Sequence, residues 1–214
     1  MVPRVKFCGL TRSEDAREAI ALGASYIGAI FAGGPRQMTA DRARKVFDDA
    51  GPGAERVGVF GADALQRAGP TAEQVRLDVI QLHGDPRAAD VRAARTRFGG
   101  RIWAVARAQG SLLPEWAEGL FREADAVLVD ARVPGRLGGT GVTLEWGALA
   151  RSLDELRGAT PLVLAGGLTP ENVARAVRLV SPDIVDVSSG VESAPGIKDH
   201  DRMRAFMRAA QEMP

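Results

Sequence analysis

The chain has 214 residues, 45% of them hydrophobic, with Lys+Arg 28 against Asp+Glu 27 and a formal net charge of +1. That balance excludes a polybasic surface for nucleic acid or an anionic membrane as the main partner, and no apolar run reaches the length of a membrane span. One cysteine, Cys8, and two histidines, His83 and His200, exclude an internal disulfide and a Cys- or His-rich metal centre.

The start, Met1-Val2-Pro3-Arg4, leads into an apolar run without a signal-peptide core. A cytoplasmic protein is expected, with Cys8 a free thiol. Short runs dense in Val, Ile and Leu then recur, as in parallel strands buried on both faces. The first strand is predicted over 5–8, followed by a capping-box pattern, Thr11-Arg12-Ser13-Glu14. The second covers 26–31, and Ala43, Val46, Phe47 and Ala50 then share a helical face. After the third strand, 56–60, a weak helical segment around 62–74 is interrupted by Gly69-Pro70. The fourth strand, 78–82, precedes a face of Val91, Ala94 and Phe98. The fifth, 102–105, precedes a weak helix around 112–120. The sixth and seventh strands cover 126–130 and 162–165. Thr169-Pro170-Glu171 offers a helix start before Val173, Ala176, Val177 and Val180. The eighth strand, 184–187, is followed by a face of Met203, Phe206, Met207 and Ala210.

About eight strand–helix cycles predict a closed (β/α)8 TIM barrel, as one domain over residues 1–214. The rival is an open doubly wound sheet. It would carry G-x-G-x-x-G after the first strand and a break between halves, and the chain has neither.

Barrel chemistry gathers where strands end at their C-termini. The polar and glycine residues cluster there. Cys8 ends the first strand, Gly33-Gly34-Pro35-Arg36 follows the second, and Gln81 and His83 close the fourth. Asp130 ends the sixth, with Gly138-Gly139-Thr140-Gly141 in the next loop. Gly166-Gly167 follows the seventh strand and Ser188-Ser189-Gly190 the eighth. Glycines let backbone N–H groups close on an oxyanion, and phosphate in barrels sits on the loops after strands seven and eight.

Each residue also has an ordinary explanation. A lone cysteine is usually a small buried hydrophobe. Asp130 could cap a helix or a turn, but a half-buried carboxyl there has its pKa raised by desolvation, which suits a general acid. Arg36 is either a solvated loop residue or a clamp on a carboxylate. His83 alone is more often structural than catalytic. Lys6 shares the parity of Cys8, so both point into the barrel, and a buried lysine needs an acid. Asp186, on the strand that closes against the first, is the candidate, in a structural or a catalytic pair.

The blocks Val5-Lys6-Phe7-Cys8-Gly9-Leu10-Thr11, Gln81-Leu82-His83-Gly84, Val129-Asp130, Gly138-Gly139-Thr140-Gly141, Leu164-Ala165-Gly166-Gly167-Leu168-Thr169-Pro170-Glu171-Asn172-Val173, Val185-Asp186-Val187-Ser188-Ser189-Gly190-Val191-Glu192 and Gly196-Ile197-Lys198-Asp199 stand in one order almost end to end. In that order and spacing the chain resembles the phosphoribosylanthranilate isomerases, cofactor-free (β/α)8 enzymes of tryptophan biosynthesis. The resemblance implies Cys8 as general base and Asp130 as general acid of an Amadori rearrangement. It implies Arg36 on the anthranilate carboxylate, and phosphate on Gly139, Thr140, Gly141, Gly166, Gly167, Ser189 and Gly190. Gln81, His83 and Asp186 complete the expected substrate-binding set. The expected partner is a small phosphorylated aminosugar, with no metal and no cofactor, bound by a monomer or a homodimer.

The chain departs from the family's pattern in three places. The loop before Arg36 reads Ala32-Gly33-Gly34-Pro35, Ala104 follows Trp103 where a lysine is common, and Leu144-Glu145-Trp146 replaces an aromatic-acidic-Trp run. Arg107 is the candidate substitute for the missing lysine. Two other readings are a related histidine-pathway isomerase or a dual-specificity form, with an aspartate where this chain has Cys8, and a non-catalytic phosphometabolite-binding barrel.

Overall fold

A computed structural model describes residues 2–130 and 146–212. The expected loop residues Gly139, Thr140 and Gly141, and the pair Leu144-Glu145, lie outside the described residues.

The strands are β1 (Arg4–Phe7), β2 (Tyr26–Ile30), β3 (Glu55–Phe60), β4 (Val79–Leu82), β5 (Arg101–Arg107), β6 (Ala126–Asp130), β7 (Leu162–Ala165) and β8 (Ile184–Val187). The helices between and after them are α1 (Ser13–Ala21), α2 (Ala40–Ala50), α3 (Ala64–Val75), α4 (Ala88–Arg95), α5 (Ala117–Glu123), α6 (Trp146–Leu156), α7 (Val173–Val180) and α8 (His200–Gln211). The strands pair in parallel in sequence order and close into a barrel. Closure is made by β1 on β8, with Val5 opposite Val185 and Lys6 opposite Asp186.

Both faces of the strands are buried. Alternate residues of one set, such as Tyr26, Val57, Val79, Trp103, Leu128 and Val163, fill the barrel. The other set, such as Phe7, Ile27, Ile80 and Val185, packs under the helices. This is why the strands read as continuous apolar runs rather than alternating ones. Helix α8 covers β1: Phe206 meets Phe7 edge-on, with ring centroids 6.2 Å apart.

Local differences from the sequence reading have physical causes. Strand β1 stops at Phe7, so Cys8 begins the following loop, although its N–H still donates to the Val187 carbonyl at 2.9 Å. The Thr11 capping box does not form: α1 starts one residue later, with Arg12 at the N-cap, and the Thr11 hydroxyl donates to the Gly196 carbonyl at 2.5 Å. Helix α3 continues through Pro70. Proline inside a helix costs about 3 kcal/mol, and the buried face of Ala64, Ala68, Ala72 and Val75 holds the helix together regardless. Around 112–120 the helix is confined to its second part: Pro114 accepts the Ala117 N–H in a turn, and α5 starts there. Helix α7 begins only at Val173, after a turn in which Asn172 Oδ1 accepts the Thr169 N–H at 2.8 Å.

After β8 a short antiparallel hairpin, β9 (Glu192–Ala194) and β10 (Ile197–Lys198), folds over the edge of the barrel. Its register sets Lys198 opposite Glu192. This hairpin was absent from the sequence reading.

Candidate active site

Every expected site residue among the described ones lines a single cavity of about 280 Å³ at the C-terminal ends of the strands. Asp130 contributes from β6, Gln81 from β4 and Asp186 from β8, with Cys8 just after β1 and His83 just after β4. Gly166-Gly167 and Ser189-Gly190 come from the loops after β7 and β8, and Arg36 from the loop after β2. A larger groove of about 930 Å³, lined by Leu65, Arg76 and Phe98, lies beside α3 and the turn leading into β5. It holds none of these groups.

The barrel interior turns polar beneath the cavity. Lys6 is fully buried and its Nζ donates to Asp186 Oδ2 at 2.8 Å and to Gln81 Oε1 at 3.0 Å. The expected Lys6–Asp186 pair is therefore present. Room for it comes from Gly28, where a Cβ would stand 3.1 Å from Cys8 Sγ and 3.3 Å from Lys6 Cε. The Gln81 oxygen faces Lys6, which leaves its amide nitrogen 3.4 Å from His83 Nδ1.

The electrostatics of Cys8 oppose each other. Burial pushes the thiol above its ordinary value; Lys6 pulls it down, Asp186 pushes it further up, and Lys198 pulls it down. Burial prevails, so the positive potential of Lys6 does not by itself produce a standing thiolate. Lys6 is pushed down by burial but held above its ordinary value overall, by the charge of Asp186 and then of Cys8.

The phosphate-type loops lie against each other. Gly166 and Gly167 take φ of +90° and +70°, a region that disfavours side chains. A Cβ on Gly190 would overlap the Leu168 carbonyl oxygen, so glycine there lets the loops after β7 and β8 meet. Among the described residues, Ser188 Oγ and Asp186 Oδ1 are buried without a hydrogen-bond partner. Buried polar atoms are normally satisfied, and both of these residues line the cavity, where a bound polar molecule can satisfy them.

Arg36 is held in a turn. The Gln37 N–H donates to the Gly34 carbonyl at 3.1 Å, and the Met38 N–H to Ile30 at 2.9 Å. Its guanidinium forks the Glu192 carboxylate, Nε to Oε1 at 2.8 Å and Nη2 to Oε2 at 2.6 Å. Glu192 also accepts from buried Lys198 at 2.8 Å. Neither Glu192 nor Lys198 was singled out as a site residue, although both stand in motif blocks quoted above. Ala104, the departure noted above, points under the helices rather than into the cavity. A lysine there would not reach the site. Arg107 is engaged by Asp85 and donates to the His83 carbonyl at 2.9 Å.

A polar cleft with paired glycine loops, opening at the C-terminal mouth of a closed parallel barrel, is the layout of barrel enzymes that act on small phosphorylated molecules. A sequence model of the family described as N-(5'-phosphoribosyl)anthranilate (PRA) isomerase matches residues 5–209. A curated N-(5'-phosphoribosyl)anthranilate isomerase of Pseudomonas fluorescens (strain Pf0-1) is 40% identical over 217 residues, covering 97% of this chain and 98% of that protein. The crystal structure of phosphoribosyl anthranilate isomerase from Thermotoga maritima superposes with a TM-score of 0.85 at 33% identity, over 97% of this chain and 98% of the other. A structure of the isomerase in complex with reduced 1-(o-carboxyphenylamino)-1-deoxyribulose 5-phosphate gives 0.80 at 31% identity, with the same coverage. The chain belongs to the phosphoribosylanthranilate isomerase family.

Proposed function

We propose that this chain isomerises N-(5'-phosphoribosyl)anthranilate to 1-(o-carboxyphenylamino)-1-deoxyribulose 5-phosphate in tryptophan biosynthesis, without a cofactor. The observation that carries the reading is the meeting of Cys8, Asp130, Arg36 and the two glycine loops in one cavity. The setting is the cytoplasm, which keeps the thiol reduced. Among the described residues no helix is long and apolar enough to cross a membrane.

The reaction needs an acid and a base on one sugar. Asp130, protonated, gives its proton to the ring oxygen as the C1'–O bond breaks, leaving an iminium at C1'. Cys8, as thiolate, takes the proton from C2', and the electron pair moves to form an enolamine. Proton return to C1' and loss of the C2' hydroxyl proton give the ketone, with no net change in protons. Arg36 takes the aryl carboxylate, the loops after β7 and β8 take the phosphate, and Asp186 and Ser188 accept or donate to sugar hydroxyls.

Loss of substrate fluorescence measures turnover. Each acid or base role is worth about 10²–10⁴ in rate, so Cys8→Ala and Asp130→Ala should each lower kcat by about that factor while ligand binding survives. Near-normal turnover by Cys8→Ala would remove the thiol from the mechanism.

A further inference from the structure

We propose that Glu192, locked by Lys198, is a positioning residue that presets the Arg36 guanidinium for the aryl carboxylate of the substrate. The inference rests on the reading of the cavity above and assigns a role to the hairpin after β8.

Three contacts immobilise Arg36. Its stem passes over Gly9, where a Cβ would stand 2.7 Å from Arg36 Cδ; Gly9 itself sits at φ +70°. Its Nε and Nη2 edge is taken up by both oxygens of Glu192. Glu192 cannot swing away, because Oε1 also accepts from Lys198 Nζ at 2.8 Å, and that ammonium is itself held by the Ser188 carbonyl at 3.1 Å. A guanidinium has five N–H donors in a rigid fork. With one edge spent on Glu192, the Nη1 nitrogen has no hydrogen bond among the described residues, and Arg36 lines the cavity.

A free arginine side chain loses substantial rotamer freedom when it clamps an anion. Here that ordering is already done before ligand arrives, which is how preorganisation raises affinity. A carboxylate facing arginine could instead compete with substrate. The bidentate fork occupies one edge only, so Glu192 orients Arg36 without covering its remaining donors.

Calorimetric titration with two stable ligands tests this: the reduced product analogue bearing the ortho-carboxylate, and its anilino counterpart without it. Glu192→Gln replaces one acceptor oxygen with an NH2 that faces a guanidinium donor. It should weaken the carboxylated ligand by about tenfold or more, since hydrogen bonds to charged groups are the strong ones, and leave the anilino ligand unchanged. In an Arg36→Ala background the same change should add nothing. Equal weakening of both ligands, no weakening of either, or full additivity with Arg36→Ala would each overturn the proposal. Glu192→Asp, which keeps the charge but shortens the reach, should lose the same ligand discrimination, and it serves if Glu192→Gln folds poorly. Wild-type turnover separates the two readings. Turnover with ligand discrimination unaffected in Glu192→Gln rejects the positioning role alone. Carboxylate-selective binding that is lost in Glu192→Gln, with no turnover by the wild type, upholds the positioning role and rejects the isomerase reading.

Discussion

The Cys8 thiol has to lose its proton before it can act as a base, and its surroundings resist that. Burial raises its pKa; Lys6, the largest opposing charge, lowers it without prevailing. The thiolate is therefore the minority form at neutral pH, and its population grows about tenfold per pH unit below the raised pKa. When proton abstraction limits the rate, log kcat/KM should climb with pH from neutral into the alkaline range, and a flat profile would show that another group carries the base role. Cys8 is the sole thiol of the chain, so alkylation reads it directly. Lys6→Met removes the ammonium and should move the alkylation midpoint further up; an unchanged midpoint would mean that Lys6 is purely structural. The same variant leaves Asp186 buried without its partner, and breaking a buried ion pair this way costs about 3–5 kcal/mol. The Lys6–Asp186 pairing was legible from parity and from the need of a buried lysine for an acid. The direction of the Cys8 shift was not, because it depends on how deeply the barrel encloses the thiol.

The hairpin formed by β9 and β10 joins the site to the outer helices. Lys198 reaches Glu192 with its side chain, while its N–H donates to Asp15 Oδ2 on α1 at 3.2 Å. Asp15 also accepts from Arg12 at 2.6 and 2.9 Å and contacts His200 Nε2 at 2.9 Å, which ties α1 to α8. Burial pushes the Asp15 carboxyl up, but its hydrogen bonds from Arg12, His200 and the Lys198 N–H hold it below the usual carboxylate range. A depressed folded pKa contributes stability at pH above the ordinary aspartate value and loses it as pH falls through the folded one. Asp15→Asn should therefore destabilise by about 1.5–3 kcal/mol near neutrality, and its unfolding curve should converge with the wild type in acid. A constant gap at every pH would place the effect in packing rather than charge. Helix α1 starts at Ser13 with Arg12 at its N-cap, one residue later than the Thr11 pattern implies, and the partner of Thr11 is Gly196. A capping pattern is a local rule, and the contact that Thr11 makes lies 185 residues away.

At the scale of the whole molecule, closure does the work that no segment does alone. Strand β1 pairs with β8, and α8 then seals the seam with buried Met203, Phe206 and Met207. Phe206→Ala should cost about 3–5 kcal/mol, lowering the urea midpoint with an unchanged slope. A near-neutral effect would mean that α8 docks outside the cooperative core. The sequence by itself determined the barrel. Eight short apolar runs spaced by helical faces have one economical way to bury both faces of every strand, and polar and glycine residues at strand ends then gather at one mouth. It also named Cys8, Asp130, Arg36 and the two glycine loops, because strand ends are countable along a chain. Only the tertiary structure decided what those groups touch. The fork of Glu192 on Arg36 spans 156 residues and the Lys6–Asp186 bond 180. Such pairings, and the balance between burial and charge at Cys8, follow from where closure brings distant side chains, a quantity that no local pattern encodes.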